Sequence, residues 1–338
     1  MSGFRSPGQT LYISEPDCEL RRSGKWLRIE QGGTCLERFD PAALDHVLLF
    51  GDIALAPGAI SLLLQHAVMV SFLDGRGRFR GRLLPPEPPT PSLREAQYRC
   101  AADREYALSF AKAIIKGKLT AAIQFVRRYG RNHDDKDFGD TIDELRKRKR
   151  KAAAAKSVES LRGVEGRAAA AYFDAFSAML RREATFTKRT RRPATDPVNA
   201  LLSFGYTMLS AEVVGQVFAV GLDPQVGFIH VGRAGRPSLA LDLVEEFRIP
   251  VVDRVVLRCW NDAIITPADF DLSDDRGPWL TKEGRATFIR EYDKRMTQVF
   301  VHVRGYRTTF RRLLHGQARA VAHCFRHDEP YRPLPVRL

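Results

Sequence analysis

Five of the seven residues from Pro85 to Pro91 are proline. Proline fixes φ and carries no backbone N–H, so this run can lie inside neither a helix nor a sheet; it reads as a stiff linker. A chain of 338 residues is comfortable as two domains, and the proline run divides it into residues 1–84, a linker at 85–91, and residues 92–338.

The two sides differ in pattern. Upstream, Thr10–Ser14, Cys18–Arg22, Lys25–Glu30, Val47–Phe50 and Val68–Leu73 are short runs with strand character, and Leu27 and Ile29 alternate with polar neighbours. Ser23-Gly24 reads as a hairpin turn and Pro57–His66 as a short helix. Downstream, Ser92 and Glu95 have capping-box spacing. Tyr106, Phe110 and Ile114 share one helical face, Gly117 reads as a break, and Leu119–Tyr129 as a second helix ending at Gly130. Asp196-Pro197 opens a long apolar helix, Val198–Val220, closed by Gly221. Thr266-Pro267 reads as another helix start, and Thr308–His327 as a final arginine-rich helix. The expected class is α+β, with a small N-terminal β-domain followed by a larger all-α domain.

Charge narrows the function. Lys and Arg number 54 against 40 Asp and Glu, a formal net charge of +14. Such a balance, rich in the planar arginine fork, points to nucleic acid. The N-terminus has no signal-peptide core, and no 18-residue apolar run is free of charge, so a cytoplasmic protein without a membrane segment is expected. The five scattered cysteines, Cys18, Cys35, Cys100, Cys259 and Cys324, lack Cys-x-x-Cys spacing and argue against a disulfide framework or zinc ribbon.

Three segments could carry chemistry. In Leu161-Arg-Gly-Val-Glu165-Gly, a carboxylate sits between two glycines ahead of a small-residue run, as if other backbone packs closely there; by itself Glu165 reads as a helix-dipole acid. In Gly227-Phe-Ile-His230, a histidine closes an apolar stretch; alone it reads as structural, and as a ligand it would bind through one ring nitrogen with the other held by an acceptor. In Ser238-Leu-Ala-Leu-Asp242-Leu-Val-Glu245-Glu246-Phe-Arg248, Asp242 and Glu245 are i, i+3 neighbours whose repulsion needs a cation, either an arginine or a divalent metal. Carboxylates with an imidazole in a basic chain suit metal-assisted phosphodiester chemistry.

Together these segments resemble the CRISPR-associated integrase family of spacer acquisition. The resemblance rests on LRG-x-EG, G-F-x-H and S-L-A-L-D-L-x-E-E-F-R in that order. It is extended by Leu11-Tyr12 and by Asp196-Pro-Val-Asn-Ala-Leu-Leu-Ser-Phe-Gly-Tyr206, and is closest to integrases of type I-C systems.

The resemblance implies that Glu165, His230 and Glu245 bind Mg²⁺ or Mn²⁺ and are catalytic, with Asp242 a further ligand or a residue that orients one. It implies a β-rich N-terminal dimerisation domain, a homodimer, and a small ferredoxin-like adaptation subunit. An iron–sulfur end-trimming nuclease is a further partner common in such systems. The substrates implied are prespacer DNA with 3′ overhangs and repeat DNA, joined by transesterification in which a fragment's 3′-hydroxyl attacks a phosphodiester without a covalent enzyme intermediate. Arg233 and Arg236 are expected nearest the scissile phosphate. Lys188, Arg189, Arg191, Arg192 and Arg248 are expected as further backbone contacts. The rival readings are a metal-dependent nuclease on branched DNA that does not integrate, and a non-catalytic DNA-binding scaffold.

Overall fold

The computed structural model describes residues 9–88, 90–133, 136–190, 193–230, 235–273 and 277–335. Ahead of the prolines lie two four-stranded sheets. The strands are β1 (Gln9–Ile13), β2 (Cys18–Ser23), β3 (Trp26–Gln31), β4 (Thr34–Phe39), β5 (Leu44–Phe50), β6 (Ala54–Leu55), β7 (Met69–Leu73) and β8 (Phe79–Leu83), with helix α1 (Pro57–Gln65) between β6 and β7. One sheet runs β1-β5-β7-β8, parallel except for its last pair; the other runs β4-β3-β2-β6. The β2–β3 register pairs Ser23 with Trp26, so the hairpin turn is Gly24-Lys25, one residue beyond the expected position. Gly24, at φ +61°, takes the left-handed conformation the turn requires.

Strand β5 explains how the two halves join. Its run Val47-Leu-Leu-Phe50 is apolar at every position because both faces are buried. Val47 and Leu49 pack into the core between the sheets and α1, with Leu20, Leu27 and Leu63. Leu48 and Phe50 face the opposite way into the core of the helical half, where the Phe50 ring lies 5.6 Å from that of Phe204.

That half holds α2 (Pro91–Ala102), α3 (Arg104–Arg131), α4 (Gly139–Ala153), α5 (Val158–Ala178), α6 (Pro197–Ala219), α7 (Ser238–Phe247), α8 (Arg254–Asn261), α9 (Lys282–Thr297) and α10 (Phe310–His327). It is not purely helical: β9 (Phe270–Asp271) pairs with β10 (Trp279–Leu280), and β11 (Phe300–Val301) with β12 (Arg307–Thr308). Thr266-Pro267 starts only a three-residue 3₁₀ turn leading into β9. The first helix after the linker uses Pro91 as its opening residue, so Ser92 lies inside it and caps nothing.

The expected break at Gly117 does not occur. Helix α3 runs unbroken for 28 residues from its cap Asp103, whose carboxylate accepts from the Glu105 and Tyr106 N–H groups, and Gly130 lies inside it. Gly117 is glycine for tertiary reasons: a Cβ there would come 2.7 Å from Pro333, whose segment crosses the helix at that point. Asp196 and Pro197 do open α6, with Asp196 accepting from Asn199 N–H at 2.8 Å. By length and composition α6 could span a bilayer, but 72% of its apolar window is buried within the protein, so it is the core helix.

The halves also meet through a buried polar network. Glu212 of α6 accepts from Tyr12 Oη at 2.5 Å and from Arg311 Nε at 3.1 Å. Arg311 also bonds Tyr12 Oη at 2.8 Å and Asp293 at 3.0 Å. Burial raises Glu212, but Arg311 and the Tyr12 hydroxyl more than reverse this, leaving it below its usual value and ionised.

Candidate active site

Four elements bring chemistry to one place: α3 with Lys118, α5 with Glu165, the segment 227–230 with His230, and α7 with Asp242 and Glu245, followed by Arg248. The approach of 227–230 to the head of α7 depends on Gly227, where a Cβ would lie 2.5 Å from the Ser238 carbonyl carbon. Asp242 then anchors the segment. Its Oδ2 accepts from Phe228 N–H (2.6 Å) and Ile229 N–H (3.0 Å), and its Oδ1 from His230 N–H (3.1 Å). The same Oδ1 lies 2.7 Å from His230 Nδ1. With four donors and complete burial, this carboxylate has no lone pair directed outward. Of its two expected roles, the geometry favours orienting over ligating: the Nδ1 proton is held, and Nε2 faces Glu245 Oε1 at 3.6 Å. From α5, Arg162 pins the other side by donating to the Ile229 carbonyl at 2.7 Å.

Glu245 is 4% exposed and is flanked by cations, Arg248 at 2.8 Å from Oε1 and Lys118 Nζ at 2.7 Å from Oε2. Burial raises its carboxyl, but the charges of Arg248 and Lys118 outweigh this and hold it below its usual value. Lys118 Nζ also pairs with Glu165 Oε1. Burial pushes the lysine down, the two carboxylates push it up, and the balance lies above its ordinary value.

Arg248 begins a π-helical stretch, Arg248–Asp253. Pro250 offers no N–H to the regular helical ladder, and the wider turn carries the chain onward. The guanidinium of Arg248 lies over the Tyr206 ring, 4.9 Å from its centroid. Tyr206 is fixed by donating to Asp253 Oδ1 at 2.5 Å, and Tyr172 donates to Oδ2 at 2.8 Å.

Glu165, His230, Asp242, Glu245 and Arg248 are therefore neighbours. Arg189 joins them with its guanidinium over the Tyr206 ring, 5.3 Å from the centroid, while bonding Asn199 and Ser203 of α6. Lys188 is exposed on the adjoining loop, and Arg236 is half-buried just before α7. Arg191, Arg192 and Arg233 lie outside the described residues. Glu165 sits in the third turn of α5, away from its N-terminus. Its flanking glycines Gly163 and Gly166 face open space and not packed backbone. Sequence reasoning missed Lys118, Arg162 and Asp253; the usable signal for Lys118 was the mid-helix Gly117 beside it, which marks a close approach.

Among the described residues, no three His, Cys, Asp or Glu side chains form a ready-made metal cage; the Lys118 ammonium lies between Glu165 and Glu245 instead. The donors still fit a divalent ion. Glu165, Glu245 and His230 Nε2 form an O, O, N set suited to Mg²⁺ or Mn²⁺. Glu245 Oε2 is buried, with the Lys118 ammonium 2.7 Å away as its charged neighbour.

The family model described as CRISPR associated protein Cas1 matches residues 11–294. A CRISPR-associated endonuclease Cas1 of Thermus thermophilus is 34% identical over 332 residues, covering 97% of both chains. A casposase bound to integration product superposes with a TM-score of 0.85 at 25% identity, over 96% of this chain and 93% of that one. A chain of a Cas6-RT-Cas1–Cas2 complex gives a TM-score of 0.85 at 23% identity, over 99% of this chain and 37% of that longer one, a likeness of fold.

Proposed function

The chain belongs to the CRISPR-associated Cas1 family, and from that premise we propose that it joins the 3′-hydroxyl ends of prespacer DNA into repeat DNA by transesterification. One observation supports the reading: Glu165 and Glu245 share the Lys118 ammonium, and His230 Nε2, its imidazole fixed by Asp242, lies 3.6 Å from Glu245 Oε1. Glu165, His230 and Glu245 are proposed as the metal ligands. A bound Mg²⁺ or Mn²⁺ supplies Lewis-acid polarisation of the phosphodiester and favours ionisation of the attacking hydroxyl.

The chain's own residues do the positioning. Asp242 keeps the His230 proton on Nδ1, so that Nε2 presents a lone pair. Arg248, stacked on Tyr206 beside Glu245, adds a guanidinium that can pair with a phosphate oxygen. Arg189 extends the positive edge. In the reaction a bond forms between the fragment's 3′ oxygen and phosphorus, and the bond from phosphorus to the repeat strand's own 3′ oxygen breaks. One phosphodiester replaces another, the entering hydroxyl loses a proton and the departing oxygen gains one.

The same reading makes the protein a cytoplasmic homodimer joined through its β-rich half, where Trp26, Leu36 and Phe79 are exposed apolar residues. It also gives the dimer a small adaptation subunit as partner, in keeping with the Cas1–Cas2 assembly that shares the fold.

The test offers the protein, with its small partner, a fork-ended fragment and a supercoiled plasmid carrying a leader and repeat. Metal-dependent joining that Glu165→Ala and His230→Ala abolish while DNA binding persists supports the integrase. Cutting without joining would favour the nuclease reading, and binding without chemistry in any metal would leave a scaffold.

A further inference from the structure

Lys118 stands between two of the residues proposed above as metal ligands. Its side chain is 13% exposed, and its ammonium bridges Glu165 of α5 and Glu245 of α7. Two carboxylates sharing one desolvated position repel each other unless a positive charge intervenes. Arg248 does not fill that role, being committed to Glu245 Oε1 and the Tyr206 face. The backbone that carries the lysine is held in place, since Pro333 packs on Gly117. Lysine carries its charge on a flexible four-carbon stem, so the ammonium can move while the backbone stays in place.

We propose that Lys118 is a built-in placeholder cation, filling the position between Glu165 and Glu245 in the metal-free protein and withdrawing when a divalent ion is loaded. The inference rests on the metal-site reading given above. An ion bonded to the same oxygens at about 2.1 Å leaves no room for an ammonium in contact with both. Loading is thus an exchange of one cation for another. The lysine offsets the like charges of the two carboxylates and holds the helices α3, α5 and α7 in register before metal arrives, and it weakens metal affinity by the strength of the ion pairs that must break. Lys118 is a positioning residue in this scheme.

The experiment uses the full chain and Mn²⁺. Binding is measured by calorimetry, and Tm in EDTA and in Mn²⁺, for the wild type, Lys118→Met, Glu165→Gln and the double variant. Lys118→Met should bind Mn²⁺ about tenfold tighter or more, because the ion pairs to Glu165 and Glu245 no longer have to break. It should melt lower than wild type in EDTA and recover in Mn²⁺. Adding Glu165→Gln to Lys118→Met removes the repulsion and should restore the Tm in EDTA, which keeps the test decisive if the single variant does not fold. Mn²⁺ binding that depends on Glu165, with affinity and metal-free Tm unchanged or affinity weakened in Lys118→Met, overturns the placeholder and leaves the metal site standing. A double variant that stays as unstable as the single one makes Lys118 a packing residue and also overturns it. Failure of both wild type and Lys118→Met to bind Mn²⁺ in a Glu165-dependent way removes the metal site and the placeholder together.

Discussion

Asp242 holds His230 at two points with one oxygen: Oδ1 accepts the backbone N–H at 3.1 Å and faces ring Nδ1 at 2.7 Å. The segment and the imidazole are therefore set by the same atom, and turning the ring without moving the backbone breaks a buried charged hydrogen bond.

Asp242→Asn is expected to be far from conservative. The amide would set two donors among four donor groups, leaving buried N–H groups without acceptors at about 1–3 kcal/mol each. A loss of several degrees in Tm should accompany a loss of joining larger than that of DNA binding. A variant as stable and active as wild type would mean that Asp242 does not orient His230.

Arg311→Met is expected to leave Glu212 charged and buried between the two halves, a situation that costs about 3–5 kcal/mol. Combining it with Glu212→Gln should recover most of that loss in chemical denaturation, because the penalty comes from the uncompensated carboxylate. Equal loss in the single and double variants would locate the effect in packing alone.

Acid stability should report on His46. Burial, and to a lesser degree Arg311 and Arg82, lower its pKa to about 3 against a partial pull upward by Glu212, while Nε2 lies 2.9 Å from Ser71 Oγ. Below its ordinary value near 6.5 the unfolded chain takes up a proton that the folded chain refuses. Stability contributed by neutral His46 is therefore complete above that pH and declines toward pH 3, by about 1.4 kcal/mol per pH unit at its steepest. His46→Gln should flatten the stability profile between pH 6 and 4; an unchanged slope would assign the acid loss to other groups.

What the sequence revealed and what it hid follow from the range of the forces involved. The cap Asp196-Pro197 and the apolar run of β5 are local instructions, and both are obeyed. Glu165, His230 and Glu245 stood out through motif resemblance, although nothing in their spacing brings them together; that takes Gly227 against Ser238 and the crossing of α3, α5 and α7. Lys118 itself looks like any other lysine in a basic helix, and the one signal pointing to it was the neighbouring Gly117. Gly117 was misread as a break because the reason for it, Pro333, lies more than two hundred residues away.

The glycines of the candidate site should separate into two kinds. Gly227 has backbone of α7 within 2.6 Å of an added Cβ, so Gly227→Ala must displace the His230 segment and should lower both Tm and joining. Gly163 and Gly166 lie in the middle of α5 with nothing within 4 Å of such a carbon. There glycine only loosens the helix, and alanine at each should raise the stability of the free protein by about 0.5–1 kcal/mol. The two sites are a turn or less from Glu165 on an open face, so a stabilised Gly163→Ala/Gly166→Ala variant that joins DNA poorly would indicate that the substrate passes over these residues. A variant that is both stabilised and fully active would show that they are spare room, and a destabilised one would contradict the open geometry of this face.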